Sequence, residues 1–310
     1  MTNRSKIVIA GGSGFIGNAL ILELKADYEV VILSRSAKLI EDATVAQWTG
    51  HDLGDWTTYV DGAFALINLV GEPITLPWTD ENKKKILDSR VESTTLMAKA
   101  IRTVNAPPKV WINASAVGYY GDTGDEVKDE TSPAGDDFLA ETCLAWERAQ
   151  DETEVPQTRK VKLRVGFVLG RDGGAFPQLA KLTKGFLGGA VGNGHQWVPW
   201  IDLRDLARMF RWAAETEIKG PINGVGPEPV QNKDLMAAMR HAAHRPWSPP
   251  APAFAVKLAG SVIGMQTDVA LVSQRAVPKV ALEKGFQFQH SDLAQVLQEL
   301  FEGTENKKTE

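Results

Sequence analysis

Seven residues near the start of the chain, Gly11-Gly12-Ser13-Gly14-Phe15-Ile16-Gly17, have types and spacing suited to holding phosphate. They follow a short β-branched run, Ile7 to Ala10. After them, apolar groups at Phe15, Ala19, Leu20, Leu22 and Leu24 mark a helical face. Between strand and helix, a first glycine permits a tight turn and a second lets the main chain approach a pyrophosphate. The third, Gly17, lets the helix pack on the strand. Unpaired N–H groups and the helix dipole then attract negative charge. The end of the second predicted strand, Val30 to Leu33, bears on which dinucleotide would bind. NAD sites place Asp or Glu there, whereas this chain has Leu33-Ser34-Arg35-Ser36. Arg35 offers a planar cationic fork to a 2′-phosphate, and Ser34 and Ser36 add hydroxyl donors. The expected cofactor is therefore NADP(H). Asp52, after the third strand, reads either as an acceptor for the adenine amino group or as a turn residue. Asn68-Leu69-Val70-Gly71 ends the fourth strand, where a glycine-containing loop would cross the cofactor.

The elements that must position these residues follow from apolar patterning. Val45 to Trp48 and Ala65 to Val70 read as third and fourth strands, and Thr79 to Arg102 as a long helix capped by Thr79. Val110 to Ala114 is a fifth strand, Asp137 to Ala149 a helix, and Val161 to Val168 a sixth strand. Strands that are apolar on both faces and alternate with helices demand a covered parallel sheet. The expected class is α/β: a doubly wound parallel (Rossmann) sheet over 1–170, with a smaller C-terminal α/β substrate-side domain over 171–302. A return of the chain to the first unit after 195 is left open, and 303–310 read as a disordered tail. Helices are expected at Asp205 to Glu215, Asn232 to Ala243 and Ser291 to Phe301.

The 310 residues carry a net charge of −5, which argues against nucleic acid or an anionic membrane as partner. No apolar run is long enough for a signal sequence or a membrane span, and the expectation is a cytoplasmic protein. The one cysteine, Cys143, excludes an internal disulfide and a multi-cysteine zinc site, so no metal is expected.

Several stretches together resemble the extended and atypical short-chain dehydrogenase/reductases, the superfamily of nucleotide-sugar epimerases and dehydratases. The similarity is greatest to the "epimerase family" branch of atypical members. The matching residues are Gly11 to Gly17, Ile67-Asn68-Leu69-Val70-Gly71-Glu72, Asp88-Ser89-Arg90-Val91, Ser115 to Asp122, Gly135 to Ala140, and Gly192 to Trp197 through Trp200-Ile201-Asp202. The resemblance implies a nucleotide-binding domain with a small C-terminal domain closing over the substrate. It also implies hydride transfer in which a tyrosine shuttles a proton, a lysine four residues later lowers its pKa, and a serine orients the substrate oxygen.

Ser115 stands where that serine belongs. The tyrosine and lysine are missing. The expected helix pairs Phe138 with Thr142, or Leu139 with Cys143, and neither register supplies a phenol or an ammonium. Tyr119 and Tyr120, in the loop after the fifth strand, are the candidate proton carriers, with Arg90 as a possible cation beside the cofactor. Asp136, Asp137 and Glu141 read as proton carriers or as helix caps. Cys143 reads as an inert core thiol. His195, Gln196, Trp197 and Trp200 suit a planar or sugar-like ligand, or else anchor a loop. Arg164 either meets an anionic group or pairs with an acid. Two functions remain: an NADP(H)-dependent oxidoreductase or epimerase acting on a small polar substrate, and a silent NADP(H)-binding sensor.

Overall fold

The computed structural model describes residues 4–256, 258 and 266–306. Seven parallel strands form the central sheet in the order β11-β7-β5-β4-β1-β2-β3. They are β1 (Lys6–Ala10), β2 (Glu29–Ser34), β3 (Thr44–Gln47), β4 (Ala65–Asn68), β5 (Val110–Ala116), β7 (Arg159–Val165) and β11 (Gly220–Gly224). Alternation along β1 shows how the sheet is covered. Ile7 and Ile9 point into a core closed by helices α1 (Phe15–Leu24) and α6 (Leu203–Glu215). Val8 and Ala10 point into a second core closed by α3 (Asp80–Thr103), with α2 (Thr57–Val60) at its margin. A strand buried on both faces is what its uninterrupted apolar sequence required.

The remaining elements form satellites. Short pairs β8 (Phe167–Leu169) with β10 (Trp200–Asp202), β9 (Trp197–Val198) with β12 (Val230–Gln231), and β6 (Val127–Lys128) with β13 (Arg275–Ala276) surround the carboxyl edge of the sheet. Helices α5 (Phe176–Lys184), α7 (Asn232–Ala242) and α9 (Leu293–Asn306) pack around Leu169 and Trp200 as a third core. α4 (Phe138–Asp151) lies against α3, and α8 (Lys279–Glu283) contributes Ala281 to the first core.

Two expectations change. The sixth strand is not continuous from 161 to 168. Gly166 donates to the carbonyl of Gly224, and Phe167 turns to the carbonyl of Pro199, so the chain steps from the main sheet into the β8–β10 pair. After 195 the chain takes the return left open above, since α6 and β11 join the nucleotide-binding layers. The last helix also runs past Glu302 to Asn306, so the predicted tail at 303–310 is helical as far as 306. Its remainder, 307–310, and the first three residues fall outside the described residues.

Asp205 fastens the C-terminal chain to this frame. Its fully buried carboxylate accepts from the main-chain N–H groups of Gln289 and His290 and pairs with Arg208 at 2.9 Å. Removing it leaves buried donors without partners. Asp205→Ala is expected to lower unfolding free energy by about 3–5 kcal/mol in urea denaturation, and a loss below about 1 kcal/mol would contradict this anchoring role.

Candidate functional site

The β1–α1 turn does what its glycines suggest. Gly11 adopts φ +73°, which an L side chain rarely tolerates. At Gly17 a Cβ would overlap the carbonyl group of Gly12, so only glycine lets the helix come this close to the turn. Gly14 opens on free space, with nothing nearer to a built Cβ than a carbonyl at 3.8 Å. Nothing caps α1: Gly14 supplies no side chain and the first turn holds no acid. Its leading N–H groups are therefore free for an anion.

Gly11, Ser13, Gly14, Ser34, Arg35, Ser36, Leu69, Val70 and Gly71 line one cleft of about 620 Å³, within the range of small-ligand sites. Arg35 is exposed, and among the described residues no carboxylate pairs with it. Ser34 accepts from the Ser36 N–H at 3.2 Å and keeps its own proton for a ligand. The remaining predicted cofactor residues stand elsewhere. Gly12, Ile16 and Gly17 pack beneath the turn, and Phe15 leans against Gly170, Gly173 and Gly174. Asn68 is fully buried; its amide donates to Asn113 at 2.8 Å and its carbonyl accepts from the Val70 N–H, so it shapes the loop from behind. Asp52 does not line the cleft. Its carbonyl accepts from the Trp56 indole, a turn role, and His51 reaches the cleft instead. Arg90 lies against Gly71 and donates to the carbonyls of Glu72 and Ile86.

The cleft also holds residues not expected from the sequence: Lys85, Asp88, Ser89, Glu92 and Ser93 from α3. Their spacing of three and four places them on one helical stripe, a signal present in the sequence but indistinguishable there from a solvated face.

The catalytic candidates join one buried network. Ser115 lies inside β5, not past its end, and its hydroxyl donates to Glu147 Oε1 at 2.7 Å. Arg164 grips the same carboxylate with two bonds of 2.8 Å, from Nε and Nη2. That answers the question left open for Arg164: it pairs with an acid. Its Nη1 donates at 3.0 Å to the Tyr120 hydroxyl, which in turn donates to Asn223 at 2.7 Å. Burial pulls the Arg164 guanidinium down, but the Glu147 carboxylate outweighs it and holds the group above its ordinary value. Burial likewise pushes the Tyr120 phenol up to about 12, even with Arg164 beside it. A phenol so placed keeps its proton at neutral pH. With its hydroxyl committed to both Arg164 and Asn223, Tyr120 stands as a hydrogen-bond relay, which differs from the proton carrier expected there. Tyr119 differs. It is half-buried, its ring lies 3.4 Å from the Arg164 guanidinium carbon, and among the described residues nothing bonds its hydroxyl.

The structure settles the register on α4. Leu139 Cβ and Cys143 Sγ lie 3.4 and 3.8 Å from a Cβ built on Gly118, in the loop after β5, while the Thr142 hydroxyl turns back to the carbonyl of Phe138. Leu139 and Cys143 thus occupy the positions where the resemblance implies tyrosine and lysine. Asp137 caps α4 by accepting from Ala140 N–H at 2.8 Å. Burial pushes the Cys143 thiol up to about 12, which makes it a poor nucleophile.

The predicted substrate-side cluster disperses. Trp200 is buried in the third core, with its indole donating to the Glu228 carbonyl, because β10 pairs inward with β8. Gln196 is buried and bonded to main-chain carbonyls, and His195 is exposed. Trp197 is half-buried; its indole donates to Asp125 and its ring faces Arg275 at 4.1 Å.

The family model for the NAD dependent epimerase/dehydratase family matches residues 7–225, spanning the sheet and the cleft. The chain belongs to that family. A domain of unknown function, DUF1731, matches residues 251–300. Curated relatives include the epimerase family protein YfhF of Bacillus subtilis, 36% identical over 301 residues, covering 95% of this chain and 97% of that protein. Another is the chloroplastic epimerase family protein SDR39U1 homolog of Arabidopsis thaliana, 34% identical over 304 residues and covering 96% and 86%. The crystal structure of human epimerase family protein SDR39U1 (isoform 2) with NADPH superposes with a TM-score of 0.85. It is 33% identical, with 96% of this chain and 99% of that one covered. These agree with the Rossmann-type α/β fold read from the sequence and with the family resemblance. Among the described residues no helix is long and apolar enough to cross a membrane.

Two outcomes follow from the geometry. Glu147→Ala leaves the Arg164 guanidinium buried and unpaired, and is expected to cost about 3–5 kcal/mol of unfolding free energy; an unchanged denaturation midpoint would refute the pairing. Alkylation of Cys143 by iodoacetamide at pH 8 is expected to be on the order of a thousandfold slower in the folded than in the unfolded chain. Similar rates in both states would show an accessible, ionised thiol.

Proposed function

We propose that this protein binds NADP(H) and exchanges hydride with a small polar, sugar-like substrate in a reducing, cytoplasmic setting, with Tyr119 as proton carrier. The observation that carries the reading is the cleft itself: an uncapped helix tip beside an exposed, unpaired Arg35, with no acid at the end of β2. The residues fit a phosphorylated dinucleotide. The N–H groups after Gly14 would hold the pyrophosphate, and Arg35 with Ser34 and Ser36 the 2′-phosphate. The NADPH in the human relative's structure supports the same choice. When bound, the nicotinamide supplies or accepts the hydride.

The protein's own groups perform the rest. The Ser115 hydroxyl donates its hydrogen bond to Glu147, so its oxygen is left as an acceptor that would hold the hydroxyl form of a substrate. Tyr119 has no partner for its hydroxyl among the described residues, and its ring stacks on a guanidinium that Glu147 holds fixed, so the hydroxyl stays available to a substrate. This replaces the expected pair of phenol and ammonium on one helix with a phenol from the β5 loop and a cation from β7.

A second reading, a cofactor sensor without turnover, draws on Leu139 and Cys143 standing in the usual catalytic positions. Binding and turnover measurements distinguish the two. Wild-type protein is expected to bind NADPH at least about tenfold more tightly than NADH, about 1.4 kcal/mol, and Arg35→Ala is expected to abolish that difference. Retention of the preference would refute the cofactor assignment. With a panel of carbonyl and hydroxyl substrates, Tyr119→Phe is expected to slow NADPH oxidation or NADP+ reduction about 100-fold or more without changing NADPH affinity. If wild-type protein turns over no substrate, the sensor reading stands instead.

A further inference from the structure

Arg90 is a half-buried cation for which the packing provides no counter-ion. It projects from α3 so that its guanidinium carbon lies 2.9 Å from a Cβ built on Gly71. Any side chain there would displace it, so the plane rests directly on cleft-lining main chain. Nη1 is committed to the carbonyls of Glu72 and Ile86, at 3.0 and 2.9 Å. The guanidinium also sits 5.0 Å from the Trp146 ring. Among the described residues no carboxylate comes within ion-pair distance, and no acceptor meets Nε or Nη2. Burial pulls the group down from its ordinary value, with the charge of Glu72 acting against it. An arginine nevertheless stays charged, and leaving a charge half-buried with two idle donors is costly unless a ligand uses them.

Strand order says which part of a ligand that would be. Along the carboxyl edge, Arg35 follows β2, the glycine turn follows β1, Gly71 follows β4 and Tyr119 follows β5, and these strands are neighbours in the sheet. A dinucleotide with its 2′-phosphate at Arg35 and its pyrophosphate at the turn must continue toward β4 and β5. Its nicotinamide riboside would then come beside Gly71 and Arg90. The inference that follows rests on the NADP(H) reading above.

We propose that Arg90 is a specificity residue for the nicotinamide half of the cofactor: Nε and Nη2 donate to the riboside oxygens, and the fixed charge favours the neutral reduced ring over the cationic oxidised one. The site would thereby discriminate NADPH from NADP+ by the position of one guanidinium. Like-charge repulsion in a partly desolvated cleft makes this discrimination larger than it would be in water.

Calorimetric titration of the full-length chain with 2′,5′-ADP, NADP+ and NADPH tests this. 2′,5′-ADP carries the 2′-phosphate but lacks the nicotinamide riboside. Arg90→Met is expected to bind 2′,5′-ADP within twofold of wild type, to lose about tenfold or more in NADPH affinity, and to narrow the NADPH to NADP+ ratio about tenfold. Arg90→Lys, which keeps the charge without the fork, is expected to retain most of the redox preference while weakening both dinucleotides. Equal loss for 2′,5′-ADP and NADPH would overturn the proposal, since that marks a merely structural role. Unchanged NADPH affinity and redox preference in both variants would overturn it too. Failure of wild-type protein to bind 2′,5′-ADP would instead sink the underlying NADP(H) reading.

Discussion

The contact between Gly17 and the carbonyl of Gly12 governs this structure. It seats α1 against the β1–α1 turn so closely that the helix tip, uncapped by any side chain, points its free N–H groups at one cleft. The other parts of the cleft are arranged around that placement. β1 is central and buried on both faces, the β4 loop passes within van der Waals reach of Gly11, and Arg35 directly follows the neighbouring strand. A helix left uncapped sacrifices some stability, and an anion bound there would recover it.

A second arrangement departs from what the family resemblance implies. On α4 the residues at 139, 143 and 147 share one stripe facing β5, and they read leucine, cysteine and glutamate. The charge on that stripe has moved a turn deeper, to Glu147, where it neutralises Arg164 and accepts a hydrogen bond from Ser115. The pair is nearly dry, which makes it rigid but does not by itself make it stabilising. Its visible effect is positional: it fixes the guanidinium on which Tyr119 stacks and the donor that holds Tyr120.

Much of the nucleotide-binding layer was legible in the sequence, because the physics there is local. Ile7 to Ala10 is a strand by composition, Phe15 to Leu24 a helix by spacing, and Thr79 and Asp137 are caps whose side-chain oxygens meet the N–H three residues on. The family was legible from motifs spread along the whole chain. What could not be read depended on partners distant in sequence. Ser115 was expected to face a substrate, but its hydroxyl is engaged by a glutamate thirty-two residues away. Trp200 appeared in a loop of glycines and aromatics, yet its strand pairs with Phe167–Leu169 and buries the indole. The break at Gly166 was invisible because Val161 to Val168 is apolar throughout, and only the approach of Pro199 and Gly224 divides it.

The account rests on a phosphorylated dinucleotide held by the helix tip and Arg35. The most direct measurement is the unfolding free energy of the wild-type protein with and without NADPH. A ligand that binds only the folded chain, present at 100 times its Kd, is expected to add about 2.7 kcal/mol. A denaturation curve that NADPH leaves unmoved at millimolar concentration would contradict it.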